Sequence, residues 1–387
     1  MAIAKPNPAL PAGTQKEQAP KGSRSTGQRQ RLDPEVFRLP VDKIRDGYYT
    51  DAYFTFTKEL LESEGRRPQV VMQVFQKRHS VLGGIDEAIA VLKQCAGARG
   101  PSGEWREGWP ELTVHALHEG DEISPYETVM HIEGDYSLFA HLETVYLGTL
   151  ARRTLIMKNV REVVEAAPDK SIMYFPARHD HWMVQTGDGW AAHIAGAIGV
   201  STDAQASWWG GKGMGTVPHA LIASYGGDTV AAAKVFADRF ADSMNVVVLV
   251  DFQNDSVRTS LEVADALGDR LWGVRLDTAH TLVDRSLMER MGRFDPRGVN
   301  PELVRLVRSA LDAAGHEHVR IVASGGFTAE RIREFEREQV PVDAYGVGSS
   351  LLRGENDFTA DVVMVEGRPC AKVGRQFSPN ERLELVT

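Results

Sequence analysis

Cysteine is nearly missing from this chain of 387 residues: Cys95 and Cys370 stand far apart and in no metal-ligand spacing. That excludes a disulfide framework or a cysteine zinc site, and it fits a reducing, cytoplasmic compartment. Long apolar runs are missing too. No stretch reaches the roughly 18 apolar residues that a membrane helix needs, and the N-terminus lacks the apolar core of a signal peptide, so neither membrane insertion nor export is expected. Positive charge is not in excess: 53 Asp+Glu against 44 Lys+Arg gives a formal net charge of −9, which leaves no global footprint for nucleic acid. His115, His118 and His131 have no carboxylate at ligand spacing, and no metal-ligating site is expected from them. Large apolar side chains are scarce over the first thirty or so residues, so 1–32 reads as a solvated tail without assigned function.

Hydrophobic residues make up 42% and charged ones 25%, the composition of a soluble globular protein, and the length suggests about two domains. Tyr48-Tyr49-Thr50-Asp51-Ala52-Tyr53-Phe54 enters a predicted helix running through Phe56, Leu60 and Leu61, whose apolar spacing predicts a buried face. A strand over 70–75 and a helix over 85–92 follow. Alternating stretches at 112–117 and 128–132, with turn chemistry between them, predict antiparallel strands in a β-rich part at 110–135. Helical periodicity over 139–156 ends in Arg152-Arg153, placed here as the dipole-compensating C-terminus of a helix that links two domains.

Beyond that point strand and helix patterns alternate, with strands expected at 171–175, 245–251, 271–277, 319–323 and 344–347. Runs such as Val246-Val247-Val248-Leu249-Val250 are apolar throughout, as a parallel sheet covered by helices requires. An α/β barrel or doubly wound sheet follows. Polar residues collect at the carboxyl ends of these strands: Arg178, Asp251, Arg275, Asp277 and Ser324-Gly325-Gly326. In α/β barrels that rim carries the chemistry, and loops after the last strands bind phosphate. The glycine-rich run 208–214 leads into Gly215-Thr216-Val217-Pro218-His219, which holds an imidazole on backbone able to approach an anion closely.

From about Asp51 to Leu352 the chain resembles nicotinate phosphoribosyltransferases and, more distantly, nicotinamide and quinolinate phosphoribosyltransferases. The resemblance rests on Thr50-Asp51-Ala52-Tyr53, Phe175-Pro176-Ala177-Arg178, Ser201-Thr202-Asp203, the Gly215 to His219 segment, Val274-Arg275-Leu276-Asp277, Ala323-Ser324-Gly325-Gly326 and Tyr345-Gly346-Val347-Gly348-Ser349, in that order. It implies the type II phosphoribosyltransferase fold: an incomplete α/β barrel at 151–355 with an N-terminal α/β-sandwich domain at 33–150, and a segment 356–387 that returns to the latter. It also implies a homodimer or higher homo-oligomer whose active sites are shared between copies.

The implied reaction joins nicotinate to 5-phosphoribosyl 1-pyrophosphate, giving nicotinate mononucleotide and pyrophosphate, with ATP hydrolysis coupled through a phosphorylated His219 and with Mg²⁺ as cofactor. By the same resemblance Phe175 and a neighbour's Tyr53 stack on the pyridine ring, Asp51, Thr202 and Asp203 adjoin the substrate, and Arg178 and Arg275 meet phosphate and carboxylate groups. Asp251 and Asp277 match the acids that hold ribose hydroxyls or Mg²⁺. Ser324, Gly325, Gly326, Gly346, Gly348 and Ser349 match the 5′-phosphate loops. The pyridine nitrogen is itself a nucleophile, so no strong base is needed, and none of the usual nucleophile–histidine arrangements occurs.

Two positions depart from the family pattern. Asp277-Thr278-Ala279-His280 stands where many relatives read Asp-Ser-Gly-Asp, leaving the second acid without a counterpart. Asp203 occupies a place where nicotinamide relatives meet the amide, and a carboxylate there would repel nicotinate unless turned away or paired. Nicotinamide is therefore an alternative substrate, quinolinate a more remote one for want of a richer cationic cluster. A non-catalytic nucleotide-binding relative is a third alternative.

Overall fold

The computed structural model describes residues 30–387, so most of the expected tail lies outside the described residues. Arg31 and Leu32, assigned to that tail by sequence, are tied down: the Arg31 guanidinium donates to Asp86 Oδ1 at 2.8 Å and the Leu32 N–H to Asp86 Oδ2 at 3.0 Å.

In chain order, helix α1 (Ala52–Ser63) precedes strand β1 (Gln69–Phe75), helix α2 (Ile85–Cys95), a hairpin of β2 (Gly97–Arg99) and β3 (Trp105–Glu107), and strands β4 (Thr113–Ala116) and β5 (Thr128–Asp135). Helix α3 (Glu143–Ala166) then crosses to the barrel. There β6 (Ser171–Tyr174), α4 (Gln185–Ala195), β7 (Gly199–Val200), α5 (Thr229–Phe240), β8 (Val246–Leu249), α6 (Ser256–Leu267) and β9 (Leu271–Leu276) follow. The barrel ends with α7 (Pro301–Ala313), β10 (Arg320–Ala323), α8 (Ala329–Arg337) and β11 (Ala344–Val347). Strands β12 (Thr359–Val365), β13 (Arg368–Pro369) and β14 (Glu384–Leu385) close the chain.

The sandwich sheet has the order β13-β12-β1-β5-β4-β14, with the C-terminal strands at both of its edges, and β12 lies antiparallel against β1. The strands predicted at 112–117 and 128–132 pair antiparallel, with His115 opposite His131, but as part of this six-stranded sheet rather than a separate β unit.

The second sheet is parallel throughout, in the order β8-β9-β10-β11-β6-β7. All four residues of β8 are buried, as expected of a strand covered on both faces. The sheet curls, and the space between β7 and β8 is spanned by 214–217: the Met214 N–H donates to Val200 O at 2.7 Å and the Val217 N–H to Val247 O at 2.9 Å. That is the incomplete barrel. It sets the segment before His219 into the strand ring.

Two expectations fail for packing reasons. Arg152 and Arg153 are not a helix end; α3 runs on to Ala166, and the pair sits mid-helix at the domain junction. Arg153 donates to Glu87 Oε2 at 3.0 Å on α2 and to Asp188 Oδ1 at 2.8 Å on α4, while Arg152 donates to Asp188 and Asp180. A Cβ at Gly187 would fall inside the Arg153 guanidinium, so that glycine makes room for the network. Helix α1 has no buried residue, although its apolar spacing predicted a buried face; Tyr53, Phe56 and Leu60 are each about three-fifths exposed.

Candidate active site

The carboxyl ends of the parallel strands converge on a cleft of 150 Å³. Strand β9 delivers Arg275 and Asp277, β10 delivers Ser324 and the Gly325-Gly326 pair, β11 carries Gly346 and leads to Gly348 and Ser349, and β6 leads to Phe175 and a turn bearing Arg178 and His179. Gly325 and Gly326 adopt φ of +90° and +77°, a left-handed pair that few other residues tolerate and whose amides can close on an anion. They lead into α8, whose N-terminus adds its dipole to that attraction. At Gly346 a Cβ would lie 2.8 Å from two ring carbons of Phe175, so this glycine is what lets the aromatic lie across β11.

Each of the three Arg275 nitrogens donates one hydrogen bond. Its Nε donates to Ser324 Oγ at 2.8 Å, Nη1 to Thr216 Oγ1 at 3.3 Å and Nη2 to Asp277 Oδ2 at 3.2 Å, and its guanidinium lies 5.3 Å from the Phe175 ring centroid. Ser324 Oγ in turn lies 2.8 Å from Asp277 Oδ1. Each group fixes its neighbour, which preorganises charge at the rim. Arg178, by contrast, is exposed and makes no hydrogen bond or ion pair among the described residues.

His219 begins the short helix His219–Ser224, directly after the 214–217 segment. Its Nε2 lies 3.0 Å from Asp251 Oδ1, at the end of β8. The Asp251 hydrogen bond raises the imidazole pKa above its usual 6.5, with further support from the charges of Asp251 and Asp277 and opposition from partial burial and Arg275. With Nε2 held as donor to the carboxylate, Nδ1 of the neutral ring keeps its lone pair free.

Not every residue named from sequence faces this cleft. Thr202 caps the short helix Asp203–Ala206, its Oγ1 accepting from Gln205 N–H at 3.1 Å and donating to Gln185 Oε1 at 3.0 Å. Asp203 Oδ1 accepts the Gly213 N–H at 2.9 Å and so ties down the glycine-rich run ahead of His219. Asp51 and Tyr53 stand at the exposed start of α1, where Asp51 pairs with Thr144. Sequence reasoning missed His179, Phe327 and Ser350, which also line the cleft. Proximity to Arg178 and to the glycine pair was the available signal. Burial and the charge of Arg178 lower the His179 pKa, so its ring is neutral near neutral pH.

As for Mg²⁺, the described residues contain no group of three or more metal-ligating side chains. Asp251 and Asp277, on neighbouring strand ends, suit an ion that keeps its waters and is carried by substrate phosphates.

A family model described as the quinolinate phosphoribosyl transferase N-terminal domain matches residues 51–154. The nicotinate phosphoribosyltransferases pncB1 and pncB2 of Mycobacterium tuberculosis are both 28% identical, over 283 and 252 residues, or 70% and 64% of the chain. The matches span 58% and 50% of those curated relatives, so the chain covers about half their length. Among solved structures, the nicotinate-nucleotide pyrophosphorylase of Pyrococcus furiosus is 34% identical with a TM-score of 0.73, covering 90% of this chain and 85% of that one. Human nicotinic acid phosphoribosyltransferase shares the fold at a TM-score of 0.61 and 18% identity, over 85% of this chain and 77% of that one.

Proposed function

The chain belongs to the type II phosphoribosyltransferases of pyridine nucleotide synthesis, and on that premise we propose that it joins nicotinate to 5-phosphoribosyl 1-pyrophosphate, releasing pyrophosphate, with ATP hydrolysis coupled through His219. The observation that carries the choice of substrate is that Arg178, among the described residues, lines the cleft without a hydrogen-bond or ion-pair partner. Arg275 is already oriented by Ser324, Thr216 and Asp277, whereas Arg178 has its whole planar fork to meet one carboxylate bidentately. Quinolinate would need a second such partner. An amide would need an acid facing the ring, and Asp203 is engaged by the Gly213 N–H instead.

In this reading the pyridine lies on the face of Phe175 that Arg275 does not cover, closed over by Tyr53 of a second copy in a homodimer. The ring nitrogen attacks the anomeric carbon as the bond to the pyrophosphate oxygen breaks, through an oxocarbenium-like state, so the protein chiefly positions the ring and receives the leaving charge. The glycine amides of 325, 326 and 348 hold the 5′-phosphate. Asp251 and Asp277 would hold a ribose hydroxyl or Mg²⁺, which when bound would supply neutralisation of phosphate charge. Asp251 also orients His219 so that Nδ1 attacks the γ-phosphorus of ATP, forming the N–P bond as ADP leaves.

The test is product formation from phosphoribosyl pyrophosphate and each of nicotinate, nicotinamide and quinolinate, with and without ATP. Nicotinate should give the highest kcat/KM and should be stimulated by ATP. A higher kcat/KM for either of the other two would overturn the assignment.

A further inference from the structure

Helix α1 carries Asp51 at its N-cap position and Tyr53 in its first turn, yet it buries no apolar side chain of its own. One side chain that does turn inward is a cation. Lys58 Nζ donates to Gly97 O and to Ser137 O, both at 2.7 Å, and pairs with Glu62 Oε1 at 2.9 Å; its side chain is only 12% exposed. Three ammonium donors thus meet three acceptors. The two carbonyls belong to separate parts of the sandwich, since Gly97 opens the β2–β3 hairpin and Ser137 lies in the turn between β5 and α3. Both are rigidly presented. Gly97 sits at φ +150°, where a Cβ would run into Arg106 O, and Ser137 is capped by Asp135 Oδ1 through its N–H at 2.9 Å and its hydroxyl at 2.7 Å.

The ground beneath α1 is polar. Trp105 Nε1, Arg106 Nη2 and both ring nitrogens of His141 are buried there without hydrogen-bond partners. Burial pushes the His141 pKa down to about 3, so that ring adds no charge beside the ammonium. Burial also lowers the Lys58 pKa, and Glu62 and Asp135 counter it. At about 100° per residue, an inward Lys58 sends Tyr53 about 140° away and Phe56 and Leu60 about 160° away, which is where their exposure places them.

We infer that Lys58 is a positioning residue for the pyridine site: its ammonium fixes the rotation of α1 on the sandwich and thereby aims Tyr53 at a second copy. The inference rests on the reading that Tyr53 serves the neighbouring site. Glu62 lies on the same helix and moves with it, so of the three Lys58 partners the two backbone carbonyls are the ones that tie α1 to the body of the domain; the Asp51–Thr144 pair holds only the helix start and leaves its rotation to Lys58. Without the ammonium those carbonyls lose their donor, and the helix loses its rotational lock while the β-sheet beneath it stays intact.

Lys58→Met, which keeps the length of the side chain and removes the charge, is to be compared with Lys58→Cys aminoethylated to restore both, each in a Cys370→Ser background. Cys95 is buried, with its thiol pKa pushed up to about 11, and stays unmodified. Amide exchange should accelerate over 52–63 in Lys58→Met, and the nicotinate KM should rise about tenfold while that for phosphoribosyl pyrophosphate holds. Aminoethylation should recover both. Unchanged exchange over 52–63, an equal rise in both KM values, an unchanged nicotinate KM, or no recovery on aminoethylation would overturn the inference. If the parent protein does not turn over nicotinate, the functional reading fails separately, and exchange with its recovery decides whether Lys58 is the anchor.

Discussion

The barrel rim and helix α1 solve the placement of site residues in opposite ways. At the rim, Arg275, Ser324, Thr216 and Asp277 hold one another within the chain, and Asp251 holds His219. On α1, Tyr53, Phe56 and Leu60 face outward, 59%, 59% and 61% exposed, with Tyr48 at 72% beside them. Burying side chains of this size completely is worth roughly 1.5–3 kcal/mol each, and the part of each still exposed leaves the helix an unspent driving force for association. The difference teaches that the rim residues are preorganised within one chain, while the aromatics of α1 are left uncovered by their own domain; in the proposed function they close the site of a second copy.

The sharpest break on the rim side is His219→Asn, which keeps a hydrogen-bonding side chain but removes the nucleophilic nitrogen. ATP stimulation should disappear entirely while a basal ATP-independent rate persists. γ-Labelled ATP with an alkaline quench should label the parent and not the variant; label retained in the variant would refute the phosphohistidine.

A smaller loss is expected from Gly346→Ala. The new Cβ would sit 2.8 Å from the Phe175 ring and force the aromatic out of the cleft, which should raise the nicotinate KM by roughly 10²-fold, since misplacing a substrate by about 1 Å costs that much. Melting temperature should change little by comparison, because Phe175 is only half-buried. A drop in stability without a change in KM would show that Phe175 packs rather than binds.

Asp251→Asn gives the mildest readout, a shift in pH dependence. Asp251 raises the His219 pKa, so in the parent the ring stays protonated, and inert as a nucleophile, to higher pH than an isolated histidine. Removing the carboxylate's charge lowers that pKa. The acid limb of the normalised ATP-stimulated rate should therefore move to lower pH; an unmoved limb would mean that His219 does not limit it.

The sequence made the barrel legible because its signals are local. Helices do alternate with the strands there, α5 opened by an Asp228 cap accepting from Ala231 N–H at 2.9 Å, and the apolar strands fall close to where they were expected. Orientation was less legible. Asp203 was placed beside substrate by its motif, and only the fold reveals that the Gly213 amide engages it, ten residues on. Arg152-Arg153 carried the composition of a helix end, but its partners Glu87 and Asp188 come from helices that no local pattern brings together. For α1 the periodicity was right and the burial wrong, because a sequence cannot say whether an apolar stripe is covered by its own domain or by another copy.

The most direct measurement of the central claim, that two copies build one nicotinate site from these unlike halves, is complementation between chains broken in different halves. Tyr53→Ala and Arg178→Ala are each to be inactive alone, mixed in equal amounts under conditions where subunit exchange is demonstrated, and assayed for nicotinate mononucleotide. Random dimerisation makes half the dimers hybrid, each with one intact site of two, so activity should return to about a quarter of the parental value. No recovery after demonstrated exchange would contradict the shared site.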